Sequence, residues 1–131
     1  MKFVPTLYWI ATILLVLMMA SGGVGELMHA QATMAGMAQL GYPGYFVNVI
    51  GTWKLLGSVA LLVPRFPRLK EWAYAGMFFN MTGAAISHAA MHSESWHVVV
   101  TLSTAALVVL SWGLRPRGRT LGTILPRLQW G

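Results

Sequence analysis

Of the 131 residues, 56% are hydrophobic and only 9% are charged, whereas a water-soluble domain carries about a quarter charged residues. So few charges cannot cover a water-facing surface, and lipid is the expected solvent for most of this single-domain chain. The absence of cysteine excludes disulfides, thiolate catalysis and cysteine-ligated iron–sulfur clusters. A net charge of +6 does not indicate a nucleic-acid partner, because the basic residues flank apolar runs and form no patch among aromatics.

A helix needs roughly 20 residues to cross a hydrocarbon core of about 30 Å. The first run of that length covers residues 7–28, "LYWIATILLVLMMASGGVGELM". Lys2 ahead of it resembles the start of a signal peptide. Met18, however, stands where cleavage wants a small residue, so an uncleaved first span is expected. "HAQATMAGMAQLGYPG" follows, with Met34, Met37 and Leu40 at helical spacing. It reads as a short interfacial helix ended by the turn "GYPG". The second span is expected over residues 45–63, followed by "PRFPRLK", a tight basic loop bracketed by Pro64 and Pro67. The third and fourth spans, 71–91 and 95–114, are joined by "HSES" as an antiparallel hairpin, and a basic tail occupies 115–131. Tyr8, Trp9, Tyr45, Trp72, Trp96 and Trp112 lie near span ends, as interfacial aromatics do. The expected fold is all-α: an integral membrane four-helix bundle with a short interfacial helix between spans one and two.

Orientation follows from Lys and Arg. Lys2 precedes span one, Arg65, Arg68 and Lys70 separate spans two and three, and Arg115, Arg117, Arg119 and Arg127 follow span four. The other two connections contain neither residue type. The positive-inside rule places both termini and the 64–70 loop in the cytoplasm. A bacterial plasma (inner) membrane is the expected setting for this multi-pass chain.

Polar residues inside the apolar runs are the candidate sites. Gly76, Asn80, Gly83 and Ser87 share one stripe of span three and read as a helix-packing seam, with His88 about 100° away. Lys54 is the most expensive residue, roughly 14 Å along its helix from Tyr45 at 1.5 Å per residue. An intramembrane ammonium needs a partner or a task, and Asn80 at similar depth is one candidate partner. A structural lysine and a contact for an anion, a quinone carbonyl or a proton relay are equally good readings.

Gly22, Glu26 and His29 share one face of span one, and His97, Thr101 and Thr104 share one of span four. The topology gathers Glu26, His29, His88, His92, Glu94 and His97 at the outer membrane face. His29, His88, His92 and His97 are therefore candidate metal or haem ligands. The competing reading is interfacial histidines or a proton-linked polar pocket. "HAAMH" lacks the glutamate of the zinc-protease motif. Gly22, Gly23 and Gly25 lie within a span and suit close helix packing better than dinucleotide binding. No nucleophile–base constellation is present, so no catalytic residue is assigned.

"LGYP" (Leu40–Pro43), "GTWKLLGSVALLVPRFPRLKEWAYAG" (Gly51–Gly76) and "TGAAISHAA" (Thr82–Ala90) resemble the DoxX-like family of small bacterial membrane proteins. The likeness extends over roughly residues 8–114. It implies a four-helix membrane bundle and matches the family pattern at Lys54, Glu71, Gly76 and His88, without assigning them chemistry. The family takes its name from a subunit associated with quinone-linked sulfur oxidation, and other relatives are tied to oxidative-stress or redox assemblies. The expected function is an accessory, non-catalytic membrane subunit of a quinone-linked redox or stress-response assembly. Lys54, Asn80, Glu26, His29 and His88 would form its polar pocket, and quinone its ligand. Alternatives are a small proton-linked transporter or permeation subunit, and a haem- or metal-binding protein. Further copies of the chain or other redox subunits are the expected partners besides the bilayer.

The charge count makes a direct prediction. Cysteines introduced as Phe66→Cys and Ser93→Cys should label from opposite sides of the membrane with an impermeant thiol reagent. Labelling from the same side would overturn the assignment of the histidines to the outer face.

Overall fold

A computed structural model describes residues 3–64 and 66–116. Lys2, Arg65 and the tail beyond Pro116 lie outside the described residues. Five helices follow one another: α1 (Phe3–Leu27), α2 (Gln31–Gln39), α3 (Gly44–Leu62), α4 (Pro67–Ala90) and α5 (Ser95–Gly113). There is no strand among the described residues.

α1, α3 and α5 are long and apolar enough to cross a membrane. α4 has 24 residues, about 36 Å at 1.5 Å per residue, but its polar residues leave it outside that group. The expected boundaries of spans one, two and four agree with the helices to within a few residues. Span three begins earlier than expected, at Pro67. Half of the expected basic loop is therefore the first helical turn. The reason is local: Pro67 stands at the helix start, where its missing N–H is harmless and its φ is pre-set. Phe66 before it adopts a left-handed conformation, with φ 53°, and its carbonyl accepts from the N–H of Lys70 at 3.1 Å.

α1 and α4 each bury a single stripe. On α1 it is Tyr8, Ala11, Thr12, Leu15, Met19, Gly23 and Glu26; on α4 it is Lys70, Tyr74, Met77, Met81 and Ala85. These follow the i, i+3/i+4, i+7 spacing of one helix face. The central cluster draws on all four long helices, with Leu15, Met19, Leu61, Met77, Met81 and Val108 among its members. The outward residues are also apolar: Trp72, Phe79 and Ile86 on α4 are 81%, 71% and 70% exposed. A surface of that kind is at home in hydrocarbon.

The long helices neighbour one another in the cyclic order α1–α3–α4–α5, and α2 rests against α3 and α1. Lys70 is wholly buried at the α3–α4 corner. Its ammonium donates to the carbonyls of Ala60, at 2.9 Å, and Val63. A cation there answers both the unpaired carbonyls and the negative end of the α3 dipole. The seam expected along Gly76, Asn80, Gly83 and Ser87 does not form a tight helix crossing. A Cβ added at Gly76 or Gly83 would meet nothing within 4 Å.

The tight crossing is instead between α1 and α3. A Cβ on Gly23 would lie 2.9 Å from the Gly51 carbonyl, and one on Gly51 would lie 3.0 Å from the Gly23 carbonyl. Only glycine lets the two backbones come this close. Gly23→Ala and Gly51→Ala should each destabilise the protein by about 1–3 kcal/mol through overpacking. Gly76→Ala and Gly83→Ala should shift stability by less than about 0.5 kcal/mol. Thermal unfolding of the detergent-purified variants measures both, and equal effects at the two pairs would refute the crossing.

Candidate functional site

The glycine crossing sets an antiparallel register. The Cβ of Glu26 lies 3.1 Å from where a Cβ of Gly51 would stand, and the Cβ of Lys54 lies 3.2 Å from where one of Gly23 would stand. Side chains lean toward the N-terminus of their own helix, so Lys54 and Glu26, on antiparallel helices, lean toward each other. Lys54 Nζ donates to Glu26 Oε1 at 2.5 Å, with the two side chains only 12% and 6% exposed. Glu26 Oε2 is buried and has no hydrogen-bond partner among the described residues. Lys54 is thus paired with Glu26 and not with Asn80, the partner considered from depth. α3 starts beyond the end of α1, and this offset brings Lys54 within reach of Glu26. With His29 level with Asn48, the stretch from Gly44 to the level of Leu27 is about 9 Å of helix.

One turn further along the same seam, His29 Nε2 and Asn48 Oδ1 are 2.7 Å apart. His29 also has a backbone task. With φ 53°, it is the left-handed residue that stops α1: its N–H bonds the Glu26 carbonyl and the Ala30 N–H bonds that of Gly25. His92 ends α4 in the same way, with φ 52° and bonds from His92 N–H to Ala89 O and from Ser93 N–H to His88 O. Glycine or asparagine usually takes this position, and histidine is among the residues that tolerate it. Two of the four histidines are therefore accounted for as helix stops.

His88 and His97 meet across α4 and α5. Their rings stack at 4.7 Å between centroids and 8° between planes, and Trp96 stacks on the far partner at 3.8 Å. Parallel imidazoles send their in-plane lone pairs side by side and not toward a shared point. His88 Nδ1 is buried without a hydrogen-bond partner among the described residues. Among the described residues no three His, Asp or Glu side chains lie close enough to share a metal ion. Glu26, His29 and His88, expected in one polar pocket, are thus divided among three contacts, with Lys54, Asn48 and His97, because α1 and α4 sit diagonally. Glu94 Oε2 accepts from Trp96 Nε1 at 2.6 Å.

Between α3 and α4 the packing opens into a cleft of about 780 Å³. Met19 of α1 lies on its wall, with Phe46, Trp53, Trp72 and Phe79. Lys54 and Asn80 also line it and, apart from the tryptophan N–H groups, are the only lining residues with polar side-chain atoms. Trp53 and Trp72 are 67% and 81% exposed, so the cleft opens sideways. Polar ties close both of its ends: Lys70 to the end of α3, and the Tyr42 hydroxyl to Ser87 Oγ.

A second polar group, which the residue pattern did not reveal, lies at the opposite end. Thr12 and Ser111 hydroxyls are 2.6 Å apart, and the Tyr74 hydroxyl is 2.8 Å from Ser111. Arg115 pairs with Glu71, which also accepts from Trp112 Nε1 at 3.0 Å. The Arg115 guanidinium lies 5.5 Å from the centre of the Tyr74 ring. These contacts tie α1, α4 and α5 together. The sequence signal was the family-pattern match at Glu71, whose partner four residues past Ser111 only the fold supplies.

The sequence profile of the DoxX-like family matches residues 10–112. The chain belongs to the DoxX-like family. No curated protein and no solved structure matches it. Membership agrees with a membrane protein whose described residues include three helices fit to cross a bilayer.

The buried pair in this DoxX-like protein should behave as a coupled unit. Lys54→Met alone, which strands the Glu26 charge, should cost about 3 kcal/mol or more. Lys54→Met combined with Glu26→Leu should recover most of that loss. A thermal or denaturant series on the single and double variants tests the coupling, and additive losses would refute it.

Proposed function

We propose that this protein is a four-span accessory subunit of the bacterial plasma membrane that holds a quinone-type ligand in the α3–α4 cleft. On this reading it is non-catalytic alone and serves a redox or stress-response assembly, with both termini and the α3–α4 turn in the cytoplasm. On this reading α4 crosses the membrane together with α1, α3 and α5. It is long enough, it packs between α3 and α5, and its outward residues are apolar. Its shortfall in hydropathy comes partly from Lys70 and Tyr74, which face inward.

The observation that carries the reading is the cleft itself. A lipid-soluble ligand reaches it sideways, between Trp53 and Trp72, without leaving the hydrocarbon. Its ring would lie among aromatic side chains, which suits stacking. Its carbonyl oxygen would find donors in Lys54 and in the Asn80 amide. Lys54 has three N–H donors, of which Glu26 takes one. Further copies of the chain or redox subunits would receive the ligand from this open side.

A second reading, a proton-linked permeation subunit, draws on the seam His29–Asn48 and Glu26–Lys54, which runs from the helix ends into the packed interior.

The test is the quinone content of lipid extracted from the purified protein. The wild type should retain quinone, and Lys54→Ala or Asn80→Leu should lower it, about tenfold for the charged donor. Equal quinone in wild type and variants would sink the reading. Proton flux into proteoliposomes, abolished by Glu26→Gln, would favour the second reading instead.

A further inference from the structure

We propose that Glu26 sets the charge selectivity of the α3–α4 cleft. Paired with Lys54, it makes the cleft a site for uncharged amphiphiles with a carbonyl head and closes it to amphiphiles with an anionic head, such as fatty-acid carboxylates. The inference rests on the reading of the cleft as a ligand site and adds which class of ligand it accepts.

A lone lysine on the wall of a lipid-open cleft would be an anion trap. The bilayer is rich in acyl chains ending in carboxylate or phosphate, and an unpaired ammonium in low dielectric would bind them ahead of any neutral ligand. Lys54 is not alone. Glu26 Oε1 is 2.5 Å from its Nζ, so the pair carries no net charge. An incoming carboxylate would have to share one ammonium with a second carboxylate that cannot leave. The cleft would then hold a net negative charge away from water, which is a large penalty.

Glu26 cannot give way by finding another donor. Its Oε2 is buried with no hydrogen-bond partner among the described residues, and Gly22, Gly23 and Gly51 around it bring no donor side chain. On α3 the charged residue facing it is Lys54, while His29, in the turn just past the end of α1, is occupied with Asn48. The whole compensation of Glu26 therefore falls on Lys54, and Lys54 is held to it. A neutral carbonyl makes no such demand. It accepts from an uncommitted Lys54 N–H or from Asn80, whose side chain makes no hydrogen bond to another described residue, and leaves the ion pair in place. Glu26 does not line the cleft; it acts through Lys54 and is a positioning residue.

The prediction concerns a pair of probes that differ only in charge. Dibromostearate and its methyl ester have the same chain, and their bromines quench tryptophan. Trp53 and Trp72 on the cleft wall report binding to the full-length, detergent-purified protein, with Trp53→Phe/Trp72→Phe as the baseline. At a pH where the acid is ionised, the wild type should bind the ester about tenfold more tightly than the acid. Glu26→Gln should reverse that order by strengthening acid binding, a gain that loss of structure cannot produce. Glu26→Asp should restore the wild-type order, and Glu26→Gln/Lys54→Gln should lose the gain.

Equal wild-type affinity for acid and ester overturns the proposal, even if Glu26→Gln fails to fold. An unchanged order in a folded Glu26→Gln variant does so too. A short-chain benzoquinone titrated in parallel separates this from the reading beneath it. Ester selectivity without quinone binding refutes the quinone and leaves the charge selection standing. Quinone binding with no discrimination between acid and ester refutes Glu26 and leaves the quinone. Absence of saturable quenching by either probe in the wild type refutes the cleft as a ligand site, and the proposal with it.

Discussion

The arrangement depends on how closely α1 and α3 approach at Gly23 and Gly51. In hydrocarbon there is no hydrophobic pull between helices, since lipid tails are as apolar as the side chains they would replace. Association rests on dispersion between closely fitted surfaces and on polar pairs. The crossing supplies both. It removes two side chains so that backbones touch, and it sets a register in which Glu26 and Lys54 lean into each other. A separation of even an ångström or two more would leave a buried carboxylate and a buried ammonium with nothing between them.

Packing is therefore uneven around the four long helices, and the unevenness makes the cleft. The α1–α3 contact is close, and α4 and α5 are joined by Tyr74–Ser111, Glu71–Trp112 and the His88–His97 stack. The α3–α4 contact is open along its middle, where Lys54 and Asn80 face the same space. It is secured at its ends by Lys70 and by Tyr42 with Ser87. Both ends of the gap are thus held by polar ties, and a ligand of the proposed kind would enter between them from the side.

Much of the fold was legible because it depends on local pattern. Apolar runs of the right length gave the long helices, and "GYPG" and "HSES" gave turns at the right places. The start of α4 was misread because a proline pair suggests a loop, although Pro67 is well suited to the first turn of a helix. The roles of His29 and His92 were hidden for a different reason. A left-handed stop at a non-glycine residue has no distinctive sequence mark. Lys54 was recognised as a residue needing a partner, and Glu26 as an acid inside a span. Their pairing depended on the offset between α1 and α3, which no pattern within either helix encodes. Asn80 was placed beside Lys54, and the two do share a wall, although not a hydrogen bond.

The three charged centres differ in how completely they are satisfied, and the difference bears on function. Lys70 has carbonyl acceptors at the end of α3, and Arg115 has the Glu71 carboxylate, the Trp112 carbonyl at 2.7 Å and two aromatic faces. Those cations are held as structural ties, with their charge spread over several partners. The Glu26–Lys54 pair is thinner: one hydrogen bond, one carboxylate oxygen without a donor, and uncommitted lysine donors beside an open cleft. A buried pair of this kind is poor as a source of stability, since apolar residues of similar volume commonly do as well or better. Its position on a cleft that opens to lipid makes sense if the unsatisfied valences belong to the site. Lys54 then has a donor to offer a ligand, and Glu26 fixes the terms on which it is offered.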